Sequence, residues 1–133
     1  MPSKKIIAAA TRFKDAWDSA ISHNKEGFSL SDLDIVEMHE AFAVQVLSCL
    51  QALASRKFAE DKLGRSQAVG DIDPDRLNVD GGSIALGHPF GATGARLVIS
   101  ALCALERRQG QHALVTVCAA GGMGASLILE RVA

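Results

Sequence analysis

His88 has surroundings suited to chemistry. It lies in Gly81-Gly82-Ser83-Ile84-Ala85-Leu86-Gly87-His88-Pro89, with a helical pattern starting near Ala92. Glycines open backbone geometries closed to other residues and let a ligand lie against the main chain. Pro89 biases His88 toward an extended backbone. The nearby helix start offers unpaired N–H groups and a positive dipole end. Two readings fit: a site histidine held by a rigid loop, or a turn with a solvent-exposed histidine. No G-x-G-x-x-G and no Gly-Lys-Ser/Thr occurs, so neither a dinucleotide fingerprint nor a P-loop is present.

Two other stretches hold reactive groups. Cys118 ends the apolar run Ala113–Cys118 and precedes Ala119-Ala120-Gly121-Gly122. A thiol at a strand end can meet a substrate, and turn N–H groups beside it can face an oxyanion. The structural alternative is a small buried hydrophobe, the usual role of a free cysteine. His39-Glu40 sits between a strand and an apolar helix, where two polar groups must be paired. Helix capping and a first-turn acid are the structural alternative there. A zinc motif H-E-x-x-H fails because position 43 is Ala43. Cys49 and Cys103 read as structural, and His23 and His112 as surface residues.

These groups need a frame. The 133 residues are 48% hydrophobic with a formal net charge of −1, which fits one globular domain over 1–133. No basic block marks a nucleic-acid surface. Three cysteines without paired spacing read as free thiols in a reducing compartment, here the cytoplasm. The uncharged stretch from Gln109 to Leu129 is broken by glycines, so it reads as two strands and not a membrane span. The start, Met1–Ala10, is too short in its apolar part for a signal peptide and reads as part of the fold.

Spacing predicts the elements. Phe13, Trp17, Ala20 and Ile21 mark a helix over 11–23, stopping near Gly27. Lys5–Ala9 either opens that helix or forms a strand before it. Ile35–Met38 reads as a buried strand. A helix from about Glu40 to Ala59 is apolar all round except a stripe of Gln45, Ser48, Gln51 and Ser55, so it should be buried on most sides. Residues 60–77 read as a charged surface excursion. A helix from Ala92 to Arg108 should stop at Gly110. Strands Ala113–Cys118 and Gly124–Glu130 should form a hairpin. The order gives a layered α/β domain.

The three stretches together resemble the thiolase family. Gly-Gly-Ser-Ile-Ala-Leu-Gly-His-Pro-Phe-Gly-Ala-Thr-Gly-Ala-Arg is similar to the histidine loop of thiolases. His39-Glu40-Ala41-Phe42-Ala43 resembles their Asn-Glu-Ala-Phe motif, and Cys118-Ala119-Ala120-Gly121-Gly122 their Cys-x-Gly-Gly-Gly motif. The resemblance is strongest over 28–133. The His-Glu-Ala-Phe and Cys-Ala-Ala-Gly-Gly forms are most similar to 3-ketoacyl-CoA thiolases of fatty-acid β-oxidation complexes.

The resemblance implies a C-terminal thiolase half, α/β/α, lacking its first strands. It implies thiolytic cleavage of a 3-ketoacyl-CoA, or the reverse condensation. Coenzyme A and acyl-CoA would be substrates, with no permanently bound cofactor or metal. His88 would activate a cysteine nucleophile and donate to the thioester oxyanion, and Cys118 would be the acid/base. His39 stands where most relatives have Asn in an oxyanion hole. Ala120, with Gly121 beside it, would help form a second hole, and Glu40 would orient the site. The family's acylated cysteine belongs to the N-terminal half. The chain is therefore expected to be inactive alone and to need that half or self-association. Two other readings remain: a non-catalytic thiolase-like binding or assembly module, and a cysteine hydrolase built on Cys118 and His88.

Overall fold

The computed structural model describes residues 29–132. The predicted helix over 11–23, its stop at Gly27, the Met1–Ala10 start and His23 lie outside the described residues. Three strands form one sheet in the order β1 (Ile35–Met38), β2 (His112–Ala119), β3 (Met123–Glu130). β1 and β2 are parallel, with Val36 opposite Leu114. β2 and β3 form an antiparallel hairpin, with Leu114 opposite Ile128 and Cys118 opposite Gly124. The helices are α1 (Ala43–Ala54), α2 (Arg56–Phe58), the single turn α3 (Ser83–Leu86) and α4 (Thr93–Arg108). A π-helical turn, Ala59–Leu63, follows α2.

Alternation along the strands divides the core. Ile35, Ala113 and Val115 turn to one face and meet Leu97, Ala101, Ala104 and Leu105 of α4. These α4 positions recur at helical spacing, so α4 buries one stripe and leaves Ile99, Leu102 and Cys103 exposed. Val36 and Leu114 turn to the other face and meet Leu30, Leu33 and Leu53. The domain is layered α/β, as its element order predicts.

The free edge of β1 is closed by one residue. Asn78 Oδ1 accepts from Met38 N at 2.8 Å, and Asn78 Nδ2 donates to Met38 O at 3.0 Å. Asn78 N donates to Val36 O at 2.8 Å, beside a parallel bridge between Leu77 and Val36. A bare edge would leave these backbone groups unpaired. Residues 60–77 are thus more than a surface excursion. Val69, Ile72 and Leu77 pack on the core beneath α1.

Four further expectations need correction. The helix expected from Glu40 starts at Ala43 and breaks at Ser55, whose hydroxyl caps Phe58 N at 3.1 Å. It is not buried on most sides: Val46, Ala52 and Leu53 are buried, but Phe42, Val44 and Leu47 are exposed. The stop of α4 is Gln109, with φ 55°, while Gly110 N donates to Leu105 O. Gly110 matters for space instead, since a Cβ there would meet Asp34 Cβ at 2.7 Å. His112 is half-buried against Glu130 and not a surface residue. Among the described residues no helix is long and apolar enough to cross a membrane.

One core residue carries a charge problem. Glu37 is fully buried in β1, and neither carboxylate oxygen has a hydrogen-bond partner among the described residues. Burial raises its pKa to about 7, against the opposing pull of the Arg96 guanidinium. The folded state then holds a proton that the unfolded chain releases at its ordinary carboxyl value. Stability falls as pH rises from the unfolded value toward 7, by roughly 3 kcal/mol across the window. Replacing Glu37→Gln should flatten this fall. Urea unfolding midpoints at pH 4.5 and 8 measure it; equal pH slopes in both proteins would refute the assignment.

Candidate active site

The glycine loop is shaped around a carboxylate. Glu40 Oε1 accepts from Asn78 Nδ2 at 2.8 Å, and Glu40 Oε2 accepts from Ile84 N at 2.9 Å. A side chain at Gly82 would collide with that carboxylate. Gly81 and Gly87 adopt φ of 90° and 98° at the two ends of the stretch that includes α3, a region that favours glycine. Glu40 therefore precedes α1 and does not serve as its first-turn acid. It ties the end of β1 to the loop carrying His88.

The two histidines meet. Their ring centroids are 4.2 Å apart, tilted by 39°. His39 is buried, and its N–H extends the sheet by donating to Thr116 O at 2.8 Å. Its Nδ1 lies 2.9 Å from Ser83 Oγ, and Arg96 Nη2 donates to the same hydroxyl at 3.1 Å. Burial holds the His39 pKa below the ordinary imidazole value. The neighbouring His88 and Arg96 act in the same direction and Glu40 against it. His39 is neutral at pH 7.

His88 is exposed, with the Phe90 ring edge-on at 5.0 Å. Its Nδ1 lies 2.7 Å from Thr93 Oγ1, and that hydroxyl donates to Pro89 O at 3.4 Å. With the Thr93 proton turned to a carbonyl, Thr93 is free to accept from His88 Nδ1–H. Nε2 of His88 then carries a lone pair, the state a general base requires.

Cys118 shares a cavity with His39. An open pocket between α1 and the hairpin is lined by His39, Gln45, Cys49, Thr116 and Cys118 among others. His39 is the common neighbour: it touches the His88 ring and shares the cavity with Cys118. Burial raises the Cys118 pKa, with Cys49 adding to it. The thiol stays protonated at neutral pH, which suits proton transfer and not unaided attack. Ala120 and Gly121 sit in the exposed turn after Cys118, where Gly121 and Gly122 take φ of 84° and 75°.

The sequence reading missed several supports. Cys49, expected to be purely structural, lines the Cys118 cavity, with its thiol raised by burial. Ser83, Thr93, Asn78 and Arg96 carry no role in that reading, though each holds a site group. Polar residues inside an otherwise apolar or glycine-rich run were the available signal. Among the described residues no three His, Cys, Asp or Glu side chains gather as a metal site.

Comparison with known proteins shows the family of the chain. Residues 14–131 match the family model described as "Thiolase, C-terminal domain". The match begins upstream of residue 28, where the motif resemblance was strongest. A protein named 3-ketoacyl-CoA thiolase from Klebsiella pneumoniae is 54% identical over 115 residues, 86% of this chain and 26% of that protein. One of the same name from Photobacterium profundum is 57% identical over the same shares. A third, from Shigella boydii, is 50% identical over 118 residues, 89% of this chain and 27% of its own length. The chain thus spans 26–27% of the length of these curated relatives. With the family match covering most of its residues, the chain belongs to the thiolase family and carries the family's C-terminal domain.

Proposed function

We propose that this chain supplies the C-terminal half of a 3-ketoacyl-CoA thiolase site, acting on acyl-CoA and coenzyme A in the cytoplasm. The observation that carries the reading is the His39–His88 pair, 4.2 Å apart, with each Nδ1 engaged by a hydroxyl. Both rings thereby keep Nε2 for the reaction. His88 Nε2 takes the proton of a cysteine nucleophile supplied by a segment outside these 133 residues. His39 stands where most relatives have an asparagine that holds a water in the thioester oxyanion hole, and its Nε2–H serves that hole. Its low pKa makes it a neutral donor and not a charged one.

Cys118 moves the proton on the acetyl carbon. In thiolysis the bond between the α and β carbons breaks, and the protonated Cys118 thiol gives its proton to the departing carbanion. The N–H groups of Ala120 and Gly121 contribute to the second oxyanion hole. Glu40 orients the loop and does not touch the reacting atoms. No bound cofactor is needed for these steps.

The nucleophile must come from elsewhere, on the same polypeptide or a partner. The exposed Phe42, Val44 and Leu47 on and beside α1 offer a covering surface for that half or for a second copy. Sedimentation velocity over rising concentration should show self-association of the chain alone, abolished by Leu47→Glu. A monomer at every concentration would count against the apolar contact.

Thiolysis of acetoacetyl-CoA and of a long 3-ketoacyl-CoA tests the reaction. The chain alone should be inactive, and co-expression with a thiolase N-terminal half should restore turnover. In that complex His88→Ala and Cys118→Ser should each lower kcat by about 10²–10⁴-fold. Activity of the chain alone would overturn the need for an outside nucleophile. A folded, associated complex without turnover would favour a binding module.

A further inference from the structure

The Ser83 hydroxyl has one proton and two lone pairs. Arg96 can only donate, and its Nη2 gives one hydrogen bond to Ser83 Oγ at 3.1 Å. Ser83 is buried, and its hydroxyl has one other neighbour among the described residues, His39 Nδ1 at 2.9 Å. If His39 donated from Nδ1, the oxygen would accept twice and the hydroxyl proton would have no acceptor. A buried donor left unmade is costly. The arrangement that satisfies every group runs one way: guanidinium to hydroxyl, hydroxyl to imidazole.

We infer that Arg96 is a positioning residue that, through Ser83, holds His39 as the tautomer with its proton on Nε2. The guanidinium has little other business here. Its Nε and Nη1 are buried without hydrogen-bond partners among the described residues, and Glu37 acts on it only through charge. An arginine kept under those conditions for one serine hydroxyl is being used for the direction of that bond. Its charge also disfavours a second proton on His39. The other titratable groups around His39 are His88 and Glu40 beside it, with Cys49 and Cys118 across the cavity. His88 receives the opposite setting from Thr93. The result is a donor and an acceptor side by side.

The tautomer stands apart from the thiolase reading, while its use in turnover rests on that reading. Nitrogen NMR of the chain labelled with 15N-histidine reports both, with His39 assigned by loss of its signals in His39→Gln. The wild type should show an unprotonated, pyridine-type Nδ1 and a protonated, pyrrole-type Nε2 on His39. Arg96→Met should give mixed tautomers and an upward shift of the His39 titration. Arg96→Lys, which keeps one donor, should restore the wild-type pattern. Ser83→Ala should reproduce the mixed tautomers of Arg96→Met while keeping the guanidinium charge, and serves if Arg96→Met fails to fold. In the complex with the N-terminal half, Ser83→Ala should lower kcat roughly tenfold or more with KM little changed. A protonated Nδ1 in the wild type overturns the inference. So does a Ser83→Ala or folded Arg96→Met variant with the wild-type tautomer. The expected tautomers without turnover in any form would support it and overturn the thiolase reading alone.

Discussion

The Glu40 carboxylate joins the end of β1 to the glycine loop. One oxygen takes the side-chain amide of Asn78, the other the backbone amide of Ile84. Charge-assisted bonds of this kind are stronger than neutral ones. They set where the loop begins its turn, and hence where His88 arrives relative to His39. Gly82 leaves room for the carboxylate. Loop glycine, strand-end acid and paired rings are one mechanical unit, although they are about 40 positions apart in the chain.

A second constraint concerns charge. Glu37, Arg96 and His39 are drawn into one polar seam under α4, and that seam is not fully satisfied by hydrogen bonds. The seam keeps Glu37 protonated more readily than usual and His39 less readily. Each shift is dominated by burial, with neighbouring charges second. The site's electrostatics thus follow from how deeply β1 is packed between α4 and the opposite layer. Stability is given up at Glu37, and a directed hydrogen-bond chain is held at Arg96.

What was legible in the sequence follows the same physics. β1, α4 and the hairpin were readable because their apolar residues recur at a period that packing enforces. His88, Cys118 and His39-Glu40 were readable because reactive types stood in glycine-rich or junction settings. The ends of α1 were not, since Phe42 at its start provides no side-chain cap and Ser55 breaks it within a run of helix formers. The packing of Val69, Ile72 and Leu77 was hidden because they follow no period. Arg96 did not stand out, being one polar residue among others on α4. Its role depends on Ser83, 13 positions away, and on a histidine 44 positions from that serine. Glu37 was lost inside an apolar strand pattern.

The closure of the β1 edge by Asn78 has a consequence for isosteres. The amide imitates a peptide group, offering an acceptor to Met38 N, and donors to Met38 O and Glu40. Aspartate has the same outline but would present oxygen to oxygen at both the carbonyl and the carboxylate. Glutamine has the right groups one methylene too far out. The backbone there, at φ 46°, also favours asparagine over most side chains. Shape, polarity and dihedral angle therefore select a single residue type at a position with no chemistry of its own.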